Sequence, residues 1–122
     1  MNTTFVKIGL LVLSFVVIFT LGFLLSRSGK PYNLIVFTIH KLVSVGVFGF
    51  MGVTVYKTQR INPLDSAQVW MVVVTAIIFV AAIVTGGLLS SDLALPKIVQ
   101  KLHHILPYLV LLSNAILFIS LG

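Results

Sequence analysis

Three histidines hold most of the chemical potential of this chain: His40 in FTIHKLVSV, and His103 and His104 in KLHHILPYL. Imidazole ligates metals, moves protons and titrates near neutral pH. Competing chemistry is sparse. The absence of cysteine excludes disulfides, thiolate metal sites, iron–sulfur clusters and covalent CxxCH attachment of a cofactor. Glutamate is absent too, and Asp65 with Asp92 are the only carboxylates. That is too little acid for paired-carboxylate hydrolysis or an oxygen-rich calcium cage.

The elements that must position these rings are apolar. Of 122 residues, 59% are hydrophobic and 8% charged, and the mean hydropathy is +1.20. A soluble domain of this size carries roughly a quarter charged residues. A spanning helix needs about 20 mostly apolar residues, and four runs meet that length: 8–26, 34–56, 69–89 and 98–121. The connections SRSGKPYN, KTQRINPLDSAQ and SSDLALPK contain the Pro, Gly, Asn, Asp and Ser expected of turns. The first run exceeds the h-region of a signal peptide, and LLSRSG has no A-x-A-like cleavage site, so a retained helix is expected. These features predict one all-α domain over 1–122, an integral membrane up-down-up-down four-helix bundle. Both termini then lie on one side, and the expected residence is a prokaryotic cell membrane.

The net charge is +6. Lys7, Arg27, Lys30, Lys57, Arg60, Lys97 and Lys101 border the apolar runs, where cations anchor to lipid headgroups. The lipid bilayer, not nucleic acid, is their expected partner. Lys7, Lys57 and Arg60 fall on the face of the termini, and Arg27, Lys30, Lys97 and Lys101 on the opposite face. That near balance fixes no orientation. Gly46, Gly49 and Gly52 on the second span, and Ala82 with Gly86 on the third, are expected to let helices approach closely.

Depth makes the histidines informative. Ionisable groups within spans are costly and mark function. Counted from Pro31 and Pro96, His40, His103 and His104 lie about 13, 10 and 12 Å deep at 1.5 Å per residue. Two spans therefore present imidazoles at one level, off-centre in a core about 30 Å thick. Two neutral imidazoles on different helices, without acid, suit the two axial positions of one non-covalent haem b. Phe37 and Ser44 share the His40 face and would line the ring; Lys41 and Lys101 stand near enough to meet its propionates. Asn114 lies on the His103 face, too deep to reach water, which favours His103 over its neighbour as ligand beside His40. His104 is then left to touch a propionate, a proton or a quinol. Pro107 frees the His103 carbonyl and is expected to bend the fourth helix. Other uses of the same rings are interhelical hydrogen bonds to Ser44, Thr75 or Asn114, and a bare zinc or copper site of three imidazoles.

The four-span plan with His40 and His103/His104 resembles the transmembrane b-type cytochromes, whose histidine pairs on different helices hold non-covalent haem. The resemblance implies electron transfer between a quinol, or another redox protein, and a second partner. It implies an electron carrier before a free-standing enzyme, and a quinol- or small-reductant-linked oxidoreductase if an enzyme at all. No second histidine pair is present, so one haem near one face is expected in place of a two-haem relay. Self-association into a homo-oligomer is compatible with this plan. The alternative is a non-haem membrane protein, either a transporter or channel subunit or a structural and assembly subunit of a larger complex.

Overall fold

The protein is all-α in a computed structural model that describes residues 3–91 and 93–122, so Asp92 lies outside the described residues. The order is α1 (Thr3–Ser28), α2 (Leu34–Ile61), α3 (Ser66–Ser90) and α4 (Lys97–Leu121). All four are long and apolar enough to cross a membrane. No strand occurs among the described residues.

The helices outrun the apolar stretches that announce them. α1 starts at Thr3 rather than residue 8, taking Lys7 into the helix, and α2 continues through Lys57 and Arg60 to Ile61. The connection between α2 and α3 therefore shrinks to Asn62–Asp65, not the twelve residues of KTQRINPLDSAQ. The reason is physical. Lys, Gln and Arg are good helix formers, and their long side chains reach polar surroundings while the backbone stays helical.

Local signals set the ends. Gly29 closes α1 in the left-handed region (φ 69°), its N–H donating to the Leu25 carbonyl at 3.0 Å. Asn33 caps α2, its Oδ1 accepting from the N–H of Ile35 and Val36 at 3.0 and 3.1 Å. Asp65 and Gln68 form a capping box at α3: the Asp65 carboxylate accepts from Gln68 N–H at 2.8 Å, and Gln68 Oε1 accepts from Asp65 N–H at 3.0 Å. α4 follows Pro96 without a side-chain cap and continues as helix through Pro107.

The chain divides into two compact units, one ending at Thr54 and one starting at Val55. In the first, α1 and α2 pack as a hairpin burying Leu11, Phe15, Ile18, Val47 and Met51. In the second, α3 and α4 form a hairpin burying Thr75, Phe79, Val110, Asn114, Leu117 and Phe118. The spare Gln68 Nε2 donates to the Ser120 carbonyl and hydroxyl at 3.0 and 3.2 Å, tying the start of α3 to the end of α4. Large apolar side chains such as Phe23, Leu42, Trp70 and Leu112 point outward, as a lipid-facing surface requires.

The expected glycine packing is corrected on α2. A Cβ at Gly46, Gly49 or Gly52 would meet nothing within 4 Å, so that stripe is not where α1 approaches α2 most closely. Gly46 instead borders an apolar groove with Leu11, Val43 and Phe50. The glycines at which helices of this chain do meet are Gly22 on α1 and Gly86 on α3.

Candidate functional site

His40 and His103 occupy the same place in their helices, six residues after Leu34 and six after Lys97. At 1.5 Å per residue each ring lies about 9 Å from its helix start. Each is half-buried against the preceding helix of its own hairpin.

In the first hairpin, His40 Nδ1 lies 3.1 Å from the Ile18 carbonyl oxygen. A Cβ on Gly22 would stand 3.2 Å from His40 Cε1, so the missing side chain is what admits the ring to the α1 backbone. In the second hairpin, His103 Nδ1 lies 3.0 Å from Thr85 Oγ1. There a Cβ on Gly86 would come within 2.8 Å of His103 Cε1, a tighter seat than its counterpart.

Each contact engages the Nδ1 of its ring. A carbonyl only accepts, so His40 donates from Nδ1 to Ile18, and the neutral ring then has its lone pair on Nε2. Thr85 directs its hydroxyl hydrogen to its own helix, at the carbonyls of Ala81 (2.8 Å) and Ala82 (3.0 Å). With that hydrogen on its own helix, the Thr85 oxygen is available to accept from His103 Nδ1–H, the tautomer whose lone pair lies on Nε2.

The remaining predicted residues are placed more loosely. Ser44 donates to the His40 carbonyl at 2.7 Å, so its hydroxyl is committed to the α2 backbone. Phe37 is half-buried and stacks on Tyr32, with ring centroids 5.8 Å apart and planes 13° off parallel. Lys41 and Lys101 are exposed, and so is His104, which points away from the side of α4 that His103 presents to α3. No group of three or more His, Cys, Asp or Glu side chains gathers to hold a metal ion among the described residues. Asn114 is fully buried, but neither its Nδ2 nor its Oδ1 has a hydrogen-bond partner.

Sequence reasoning missed Ile18, Gly22 and Thr85 as partners of the imidazoles. The available signal was weak: Gly22 and Gly86 interrupt apolar helices, where glycine costs up to about 1 kcal/mol relative to alanine. No family model, curated protein or solved structure matches this chain.

Proposed function

We propose that this chain is a small integral membrane b-type cytochrome carrying single electrons through one haem b held by His40 and His103. The observation that supports this reading is that both rings stand at one helix position with Nδ1 engaged by the preceding helix. Metal-ligating histidines ordinarily donate their other ring N–H to an outer partner, which fixes the ring and raises its basicity. Ile18 and Thr85 are partners of that kind. Two neutral imidazoles with Nε2 lone pairs are a donor set that fits haem iron.

Haem, when bound, would supply a one-electron ferric–ferrous couple, with His40 and His103 as the residues that would hold it. The chain's own residues do the rest. Gly22 and Gly86 admit the rings, Ile18 and Thr85 orient them, and Phe37 with Ser44 contributes apolar and small lining. Lys41 and Lys101 supply positive charge for the propionates, and His104 stands outside the ligand pair. The electron donor in this reading is a quinol or another redox protein, and the residence is a prokaryotic cell membrane with both termini on one side.

The same contacts favour a second reading, because His40–Ile18 and His103–Thr85 are also interhelical hydrogen bonds of the sort that hold membrane helices together. In that case the chain is a non-haem transporter, channel or assembly subunit. An absorption spectrum of protein purified from haem-replete cells separates the two. The expected result is a six-coordinate low-spin b-type spectrum with one haem per chain. It should be lost in both His40→Ala and His103→Ala and kept in His104→Ala. A colourless wild type overturns the haem assignment and leaves the second reading.

A further inference from the structure

The second hairpin contains a polar layer that the histidines do not use. Gly86 meets His103, and the antiparallel register runs from that contact to Gln68 and Ser120, eighteen residues away on α3 and seventeen on α4. Eleven residues from Gly86 stands Thr75, and eleven residues from His103 stands Asn114. Eleven residues are just over three whole turns, so both positions return to the face that carries the His103–Gly86 contact. The register therefore sets Thr75 opposite Asn114, with exposures of 1% and 0%. Phe79 and Val110 lie on the histidine side of this layer, and Leu117 and Phe118 beyond it, all buried.

Within these apolar walls the Asn114 amide offers two donors and an acceptor, yet no protein group answers Nδ2 or Oδ1. A buried amide in that condition is costly, and native proteins ordinarily match such a group with a small polar guest. The full burial leaves no way in for anything large. A metal cation would answer Oδ1 but repel the Nδ2 hydrogens. A neutral molecule that both accepts and donates answers either end, and water is the smallest one.

We infer that the α3–α4 hairpin holds an internal water at the level of Thr75 and Asn114, hydrogen-bonded to the Asn114 amide with the Thr75 hydroxyl as its second protein partner. Buried waters typically make two to four such bonds and persist as part of the fold. The inference is independent of any haem.

The test is solution NMR of the full chain in lipid nanodiscs, with Asn114→Leu used to assign the amide resonance. The expected result is a cross-peak between the Asn114 side-chain amide and water with the sign of a long-lived contact, lost in Thr75→Val. The Gln68 side-chain amide, tied to Ser120, reports in the same spectra that the hairpin remains closed. A wild-type amide with no water cross-peak overturns the site. A cross-peak indifferent to Thr75→Val with the hairpin closed overturns the role given to Thr75.

Discussion

Eleven residues beyond its histidine, α2 buries Met51; eleven beyond its own, α4 buries Asn114. The helices they pack on differ in the same sense, with Leu11 eleven residues before Gly22 and Thr75 eleven before Gly86. Closer to the rings the hairpins agree. Phe15 and Val47 are buried in the first where Phe79 and Val110 are buried in the second. The two units thus share a ring seated on a glycine above a phenylalanine–valine layer, and differ in the group that meets the ring and in what lies deeper. The imidazole seat does not depend on the polarity of the interior beneath it. What the hairpins share is the glycine seat of the histidine, and what they do not share is the polar layer.

The largest effect should come from forcing the first interior to imitate the second. Met51→Asn removes buried apolar surface and introduces an unanswered amide, and should destabilise the first hairpin by about 2–4 kcal/mol. The reverse change, Asn114→Met, exchanges a polar group for an apolar one and should stay within about 1 kcal/mol of wild type. Equal losses in denaturant titrations of the two variants in mixed micelles would erase the contrast.

Next comes the tightness of the seats. Gly86→Ala pushes a methyl to within 2.8 Å of His103 Cε1, so the ring must swing away from Thr85. That overpacking should cost about 1–3 kcal/mol. At Gly22 the approach is 3.2 Å, and the gain of about 0.5–1 kcal/mol from replacing a helical glycine offsets much of the strain. Gly22→Ala should therefore lie close to wild type in the same titration. A larger loss at Gly22 than at Gly86 would reverse the ranking of the seats.

A smaller effect separates the two acceptors. Thr85→Val deletes the oxygen that receives His103 Nδ1–H and should cost about 0.5–1.5 kcal/mol, the range for interhelical hydrogen bonds in membranes. The acceptor for His40 is a main-chain carbonyl, so Ile18→Leu leaves that bond in place. The imidazole ¹⁵N shifts of His103 should change in Thr85→Val, and those of His40 should be unmoved in Ile18→Leu. Invariant His103 shifts would remove Thr85 as the group that sets its tautomer.

The four helices are legible from hydropathy and from the turn residues between them, because a spanning helix must be apolar along its whole length. Their ends are not, since Lys7, Lys57 and Arg60 interrupt the apolar run without interrupting the backbone hydrogen bonds. The position of each histidine along its own helix is legible too, being a count from the helix start. Their partners are hidden for a different reason. Ile18 contributes a carbonyl that every residue possesses, and pairing it with His40 requires knowing how two helices are rotated against each other. Glycine is an ambiguous guide to close approach: Gly22 and Gly86 each meet a ring, whereas Gly46, Gly49 and Gly52 meet nothing in this chain.

The hydroxyls of the helices have a bearing on how the chain enters a bilayer. Thr20 donates to Val16, Ser28 to Leu24, Ser44 to His40 and Thr85 to Ala81, each to a carbonyl of its own helix. A helix that satisfies its hydroxyls internally can leave the translocation machinery and partition into lipid before it has met another helix. The His40 ring instead finds its acceptor on α1, the His103 ring meets Thr85 on α3, and the Asn114 amide finds no partner on its own helix. Passage of α2 and α4 into lipid should thus be coupled to hairpin formation. Each would enter paired with the helix before it, making the hairpin, and not the single helix, the unit of membrane insertion.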